Sequence, residues 1–259
     1  MEAAHVFPFG EGARALSGRG SWSGRHCLIE RWIDKPLYWR KPRVVATGWL
    51  GDMWRESVDQ EDHDAMFSVI RQASAAHQFL MLTKNPVAMA DALDGLESDS
   101  LGDGTEFSAL NLWFGTTVTN QADSDKLIPH LLRIPGKRWL CVEPLLVPVD
   151  FGWTCPKCGY TVHDCQTLLD HQLCGAPTPP APRVDWIVVG QGTNGYKPAK
   201  PEWIQSVIDQ AKAAGVPVWT KALPPGVEPV RQAPPEIAAI LRTDKRIAAE
   251  CEAAGGIEG

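Results

Sequence analysis

The segment TCPKCGYTVHDCQTLLDHQLCG holds the most specific chemical pattern in the chain. Cys155 and Cys158 are followed by His171 and Cys174 in the spacing C-x2-C-x12-H-x2-C. Thiolates and an imidazole so spaced suit tetrahedral zinc, two from a knuckle between short strands and two from one helix face. Val162 and Leu168 fill the apolar positions that a ββα finger needs. A segment this short cannot build a core unaided, so metal binding would supply its folding energy. Four protein ligands would saturate the ion and make the zinc structural. The rival is an iron–sulfur cluster on Cys155, Cys158, Cys165 and Cys174, and a further variant uses His163 or Cys165 as a ligand. The finger's usual base-reading positions hold Asp164, Gln166, Thr167 and Asp170, with no Arg or Lys. That argues against major-groove reading by the finger alone.

A second set of residues is scattered along the chain. Asp52, Lys84, Glu143 and Lys221 each stand just after a short apolar run. The two lysines could hold a small anionic or nucleotide-like ligand, and Glu143 or Asp52 could act as acid or base. Such chemistry requires convergence on a common reacting atom. Each residue alone also reads as a helix cap or loop anchor. Trp49, Trp54 and Trp113 offer rings that could stack on a base, against the alternative of core packing.

The elements that must position these residues follow from periodicity. RVVATGWL, QFLMLTK, NLWFGTTV, KRWLCVEPLL, VDWIVVGQG and VPVWTKA are short continuous apolar runs, as expected of strands covered by helices. DHDAMFSVIRQASAAH, VAMADALDGL after Asn85-Pro86, QADSDKLIPHLLRI and PEWIQSVIDQAKAAG have helical spacing, with Pro129 a candidate break and Gly215 a cap. Strands and helices alternate from Arg43 to Lys221, which implies right-handed crossovers and a parallel sheet. A doubly wound sheet and a barrel both satisfy this order. No GxGxxG follows the first strand, which weakens the dinucleotide-binding version. In either fold the strand C-terminal edge builds sites, and that is where the second set falls.

Composition removes several classes. The chain has 259 residues, with 25 Lys and Arg against 31 Asp and Glu, a net charge of −6. That opposes a large basic nucleic-acid surface. The only stretch mixing basic and aromatic residues is Arg25, Arg31, Arg40, Lys41 and Arg43 among Trp32, Tyr38 and Trp39. No apolar run approaches the ~18 residues of a membrane helix, and MEAAHVFPFGEG lacks the features of an export signal. Clustered cysteines without such a signal read as metal ligands in a reducing, cytoplasmic setting. The C-terminal EIAAILRTDKRIAAECEAAGG reads as a solvated helix.

Taken in order, RWIDKPLYWRKPRVV, GWLGDMW, FLMLTKNP, NLWFGTTVTNQ, RWLCVEPLL, VDWIVVGQG and VPVWTK resemble the phage Gp-thirty-seven/Gp-sixty-eight family of unknown function. The resemblance implies a radical-SAM-like barrel and, for a phage-encoded chain, the host cytoplasm. Full-length relatives open with three closely spaced cysteines for a [4Fe–4S] cluster that binds S-adenosylmethionine. This chain has only Cys27 in its N-terminal part, and a lone thiol cannot hold that cluster. The family's glycine-glycine-glutamate stretch is altered to Gly190-Gln191-Gly192, whereas Asp52, Lys84, Glu143 and Lys221 match its polar strand ends. The expectation is an α/β fold: an incomplete TIM-type parallel β/α barrel with an inserted small zinc finger. Residues 1–20 are expected as an arm, 21–152 and 183–235 as barrel, 153–182 as finger and Pro-rich linker, and 236–259 as a C-terminal helix and tail. A barrel short of its first βα unit has open edges, which favours a partner chain completing it. The other expectation is a non-catalytic zinc-finger module contacting nucleic acid or protein.

Overall fold

The computed structural model describes residues 17–18, 21–22, 30–48, 51–94, 107–153, 184–192, 196–244 and 247–249. Within them a two-stranded antiparallel ribbon, β1 (Ser17–Gly18) and β2 (Ser21–Trp22), precedes a short helix α1 (Glu30–Ile33). Then come β3 (Val44–Thr47), α2 (Gln60–Ala73), β4 (Gln78–Thr83), α3 (Pro86–Asp94) and β5 (Leu112–Thr117). They are followed by α4 (Gln121–Arg133), β6 (Lys137–Val142), β7 (Trp186–Val189), α5 (Pro201–Ala213), β8 (Val218–Thr220) and α6 (Pro235–Leu241). The six strands β3 to β8 form one parallel α/β sheet in sequential order. A doubly wound sheet would reverse that order at a switch point, so the barrel-type order is the one observed. The chain divides into two compact units, 1–115 with 134–136, and 116–133 with 137–259.

In the first unit, Val44–Thr47 of β3 pairs in parallel register with Gln78–Met81. Helix α2 starts where Asp59 accepts the Asp62 N–H at 3.1 Å, and Glu61 and Asp62 favour the first turn. Met66, Phe67, Val69, Ile70 and Ala73 are its buried face. The helix stops at Ala73, short of the His77 that its periodicity suggested. His77 instead lies just before β4 and is 1% exposed. Its Nε2–H donates to the Pro36 carbonyl at 3.0 Å, and its Nδ1 accepts the Arg43 N–H at 3.2 Å.

That arrangement requires neutral imidazole, since a second ring N–H would face the Arg43 amide. Burial lowers the His77 pKa below 6.5, the Pro36 bond opposes this, and the Arg43 charge adds to it. The folded state therefore binds fewer protons than the unfolded one below that pH. The contribution of His77 to stability is expected in full above pH ~6.5 and to fade as pH falls toward the folded pKa. Thermal unfolding at a series of pH values should show this slope in the native chain. His77→Gln, which does not titrate, should lack it.

In the second unit, Trp139–Val142 of β6 pairs with Trp186–Val189 of β7, and Ile187–Val189 pairs with Val218–Thr220 of β8. The outer edge of β8 is covered: Thr220 N–H donates to Val230 O at 2.9 Å and Gln232 N–H to Val218 O at 3.0 Å. Helix α4 runs through Pro129 without a break. Pro129 and Asp125 are both exposed, so the carbonyl that loses its amide donor faces water. In α5, Pro201 opens the first turn, and Ile204, Val207, Ile208 and Ala211 face inward. Gly215, at φ 65°, ends that segment as expected. The C-terminal segment is not one solvated helix. Helix α6 ends at Leu241, with Ile237, Ala238 and Leu241 buried. Lys137 Nζ lies 2.7 Å from Glu236 Oε1 and ties α6 to β6.

The chain leaves this sheet through Val149–Trp153, clamped by α5. Gln210 accepts the Phe151 N–H at 2.9 Å and donates to Val149 O at 2.8 Å. It returns at Asp185, whose carboxylate accepts the Arg138 N–H at 2.8 Å. The four expected zinc ligands Cys155, Cys158, His171 and Cys174 lie between these clamps, outside the described residues. Most of the 1–20 arm, Cys27 and Trp49 are also outside them.

Candidate functional site

Two of the four strand-end residues meet in the second unit. Lys221 follows β8 and Glu143 follows β6, and Lys221 Nζ lies 2.6 Å from Glu143 Oε2. Their side chains are 21% and 16% exposed, so the pair is mostly withdrawn from water yet reachable. Between them runs the end of β7. Gly190 is buried there, its N–H donating to Val142 O at 3.1 Å and its carbonyl accepting from Leu145 N at 3.2 Å. A methyl group at Gly190 would sit 3.3 Å from Lys221 Cβ and 3.4 Å from Glu143 Cδ. A side chain there would lie tight against the stems of both the acid and the base.

Gln191 adds a third polar group. Its backbone N–H donates to Ala222 O at 2.9 Å and its side-chain amide to Leu223 O at 3.1 Å. Its Oε1 is buried with no hydrogen-bond partner, an acceptor left open. Beside it, Gly192 leaves room for Tyr196 and Pro144: a substituent there would lie 3.0 Å from Pro144 Cβ. Tyr196 is 56% exposed. A carboxylate, an ammonium, an open amide oxygen and an exposed ring thus share one strand-end edge. A surface depression lined by Lys212, Gly215, Val216 and Pro235 lies at the other end of β8 and holds no acid–base pair.

In the first unit, Asp52 is held in place. Its Oδ1 accepts Trp54 N–H at 3.1 Å and Thr83 Oγ1–H at 2.7 Å, while Oδ2 accepts Lys84 N–H at 2.7 Å. Thr83 Oγ1 accepts Asn85 N–H at 2.8 Å, and Asn85 Oδ1 receives Ala88 N–H at 3.3 Å to start α3. The carboxylate braces the loop at the end of β4. Lys84 joins through its backbone, and its side chain is exposed. Gly48, at φ 79°, turns the chain out of β3 where a side chain would run into the Leu82 carbonyl. Trp54 and Trp113 are not stacking platforms. They are 4% and 2% exposed, with their indole N–H groups bonded to Met81 Sδ and Gln78 Oε1.

The sequence matches the model of a family described as proteins of unknown function, DUF5131, over residues 8–227. The chain belongs to this family. No curated protein and no solved structure matches it. The DUF5131 match says nothing of phage origin, radical chemistry or zinc.

The cysteines of this DUF5131 chain that bear on zinc or an iron–sulfur cluster lie outside the described residues. The one cysteine among the described residues, Cys141, is buried within β6, and no group of three His, Cys, Asp or Glu suited to a metal occurs among them. No helix among them is long and apolar enough to cross a membrane. Sequence reading placed Gln191 at a strand end but gave it no role, and it passed over His63. That ring lies 4.7 Å from Trp54, and its Nε2 is 2.6 Å from Met53 O. A signal for Gly190 was present: a glycine directly after a β-branched strand marks close approach of neighbouring groups.

Proposed function

We propose that this DUF5131 protein is an incomplete β/α barrel that binds a small anionic, nucleotide-like ligand at the strand ends of its second unit. The observation that carries the reading is the 2.6 Å contact of Lys221 with Glu143 across Gly190. Without ligand, Glu143 neutralises Lys221. A phosphate would compete for the ammonium and release the carboxylate, which then accepts a proton or a hydroxyl donor from the ligand. Tyr196 supplies a ring on which a base can stack. Asp52 and Lys84 belong to the first unit, where Asp52 is a positioning residue for the β4 loop. Calorimetric titration with nucleoside mono-, di- and triphosphates, and with inorganic phosphate, tests this reading. Binding that vanishes in Lys221→Met is the expected result. Binding left intact by that variant, or no binding by any probe, overturns it.

The finger is the second part of the proposal. The spacing of Cys155, Cys158, His171 and Cys174 supports structural zinc, with the two clamps at Gln210 and Asp185 fixing the ends of the insertion. Elemental analysis of the purified chain should give one zinc, lost in Cys158→Ser, and no iron. Iron with sulfide would transfer the assignment to a cluster on the same cysteines. The family resemblance further supports a phage-type, cytoplasmic radical-SAM-like relative that leaves cluster chemistry to a partner chain. Among the described residues no strand pairs with the outer edge of β3, where such a partner could add.

A further inference from the structure

The segment Asp34–Arg43 stands apart from the ligand site in both chemistry and construction. It holds Lys35, Arg40, Lys41 and Arg43 against Asp34 alone, a local charge of +3 in a chain of net charge −6. It is also held rigidly. Pro36 is buried within the short 3-10 turn Lys35–Tyr38. One buried side chain, His77, bonds both ends of the loop, at the Pro36 carbonyl and the Arg43 amide. Trp39 turns inward, its ring 5.7 Å from that of His77 at 73°.

The cations and rings are not equally engaged. Arg43 lies 4.7 Å over Trp39, and Lys35 lies 3.1 Å over Trp32. Those rings already carry a cation. Tyr38 is 73% exposed, and Leu37 beside it is 37% exposed. Arg40 and Lys41 are exposed, and among the described residues neither has an ion pair. On either side of the inward-turned Trp39, Tyr38 and Arg40 are both exposed. A bare ring next to two uncompensated cations on a preformed loop matches what binds a single nucleic-acid strand: stacking for a base, charge for the flanking phosphates.

We infer that the His77-pinned loop Lys35–Arg43 is a contact surface for single-stranded nucleic acid. It is independent of the phosphate site at Lys221. An acidic peptide could use Arg40 and Lys41 and bury Tyr38 but offers no run of planar bases to stack on the ring, and duplex DNA hides the base faces that stacking needs.

Fluorescence anisotropy with the full chain tests the inference, using labelled dT20, rU20 and a duplex of equal length at 50 and 200 mM salt. Single strands should bind tighter than the duplex. Tyr38→Ala should weaken that binding by about tenfold. The double variant Arg40→Ala with Lys41→Ala should lower the salt slope by about 1.4, two phosphates' worth on a single strand. All three residues are exposed, and an unchanged near-ultraviolet circular dichroism spectrum would show that the variants fold. No binding overturns the inference. So does binding indifferent to all three residues, which would place the contact elsewhere, the finger included. Loss in the Arg40 and Lys41 variant with no effect of Tyr38→Ala overturns it in favour of an acidic partner.

Discussion

Lys221→Met is expected to destabilise the protein by about 2 kcal/mol while abolishing phosphate binding. The variant keeps the aliphatic stem and removes the charge. Glu143 would remain with its side chain 16% exposed and its closest counter-charge gone. Breaking a fully buried pair from one side costs ~3–5 kcal/mol, and partial exposure of both groups here reduces the effect. The matching variant Glu143→Gln leaves an amide against the ammonium and should cost less. It should also free Lys221 for phosphate, so that affinity rises as stability falls. Urea denaturation and calorimetry on the two single variants and the double one separate these terms, because the coupling energy isolates the pair. A coupling near zero would mean that partners other than Glu143 satisfy Lys221.

Trp186→Ala should be the most damaging single change in the second unit, at about 4 kcal/mol. Trp186 is fully buried, its ring 6.1 Å from that of Trp139. Its indole N–H donates to Gln232 O at 3.0 Å. Truncation therefore removes a large apolar volume and leaves the Gln232 carbonyl without its donor, adding an unsatisfied polar group to the cavity. Gln232 also bonds β8, through Val218 O, so its displacement would loosen the cover of that strand edge. Domains of this kind have only ~5–15 kcal/mol in reserve. A drop in urea midpoint at constant slope would confirm the loss. Trp186→Phe, which keeps most of the volume but not the N–H, should retain more than half of the stability lost.

The difference between these two predictions shows what could be read from residues alone. The order of strands and helices follows from local periodicity. Asp59, Pro201 and Gly215 mark helix ends through torsions and bonds to near neighbours, so their roles are legible in a short window. The same holds for the short apolar runs that became β4, β6 and β7. Local rules misled where solvent or burial had the last word. Pro129 stays within a helix because its lost bond faces water, and His77 leaves the helix pattern to bond two distant backbone groups.

The site was legible as a set of strand-end polar residues, but not as pairs. Nothing in the neighbourhood of Glu143 names Lys221 as its partner; strand order and register bring them together across Gly190. Asp52 and Glu143 look alike in sequence. One is held by three donors, one from its own loop and two from the end of β4, and the other faces an ammonium at a reachable edge. Residue type and spacing alone determined the chemistry available, including the zinc pattern of Cys155, Cys158, His171 and Cys174. Only tertiary structure decided which carboxylate braces a loop and which faces an ammonium, because a side chain's role depends on neighbours that come from distant parts of the chain.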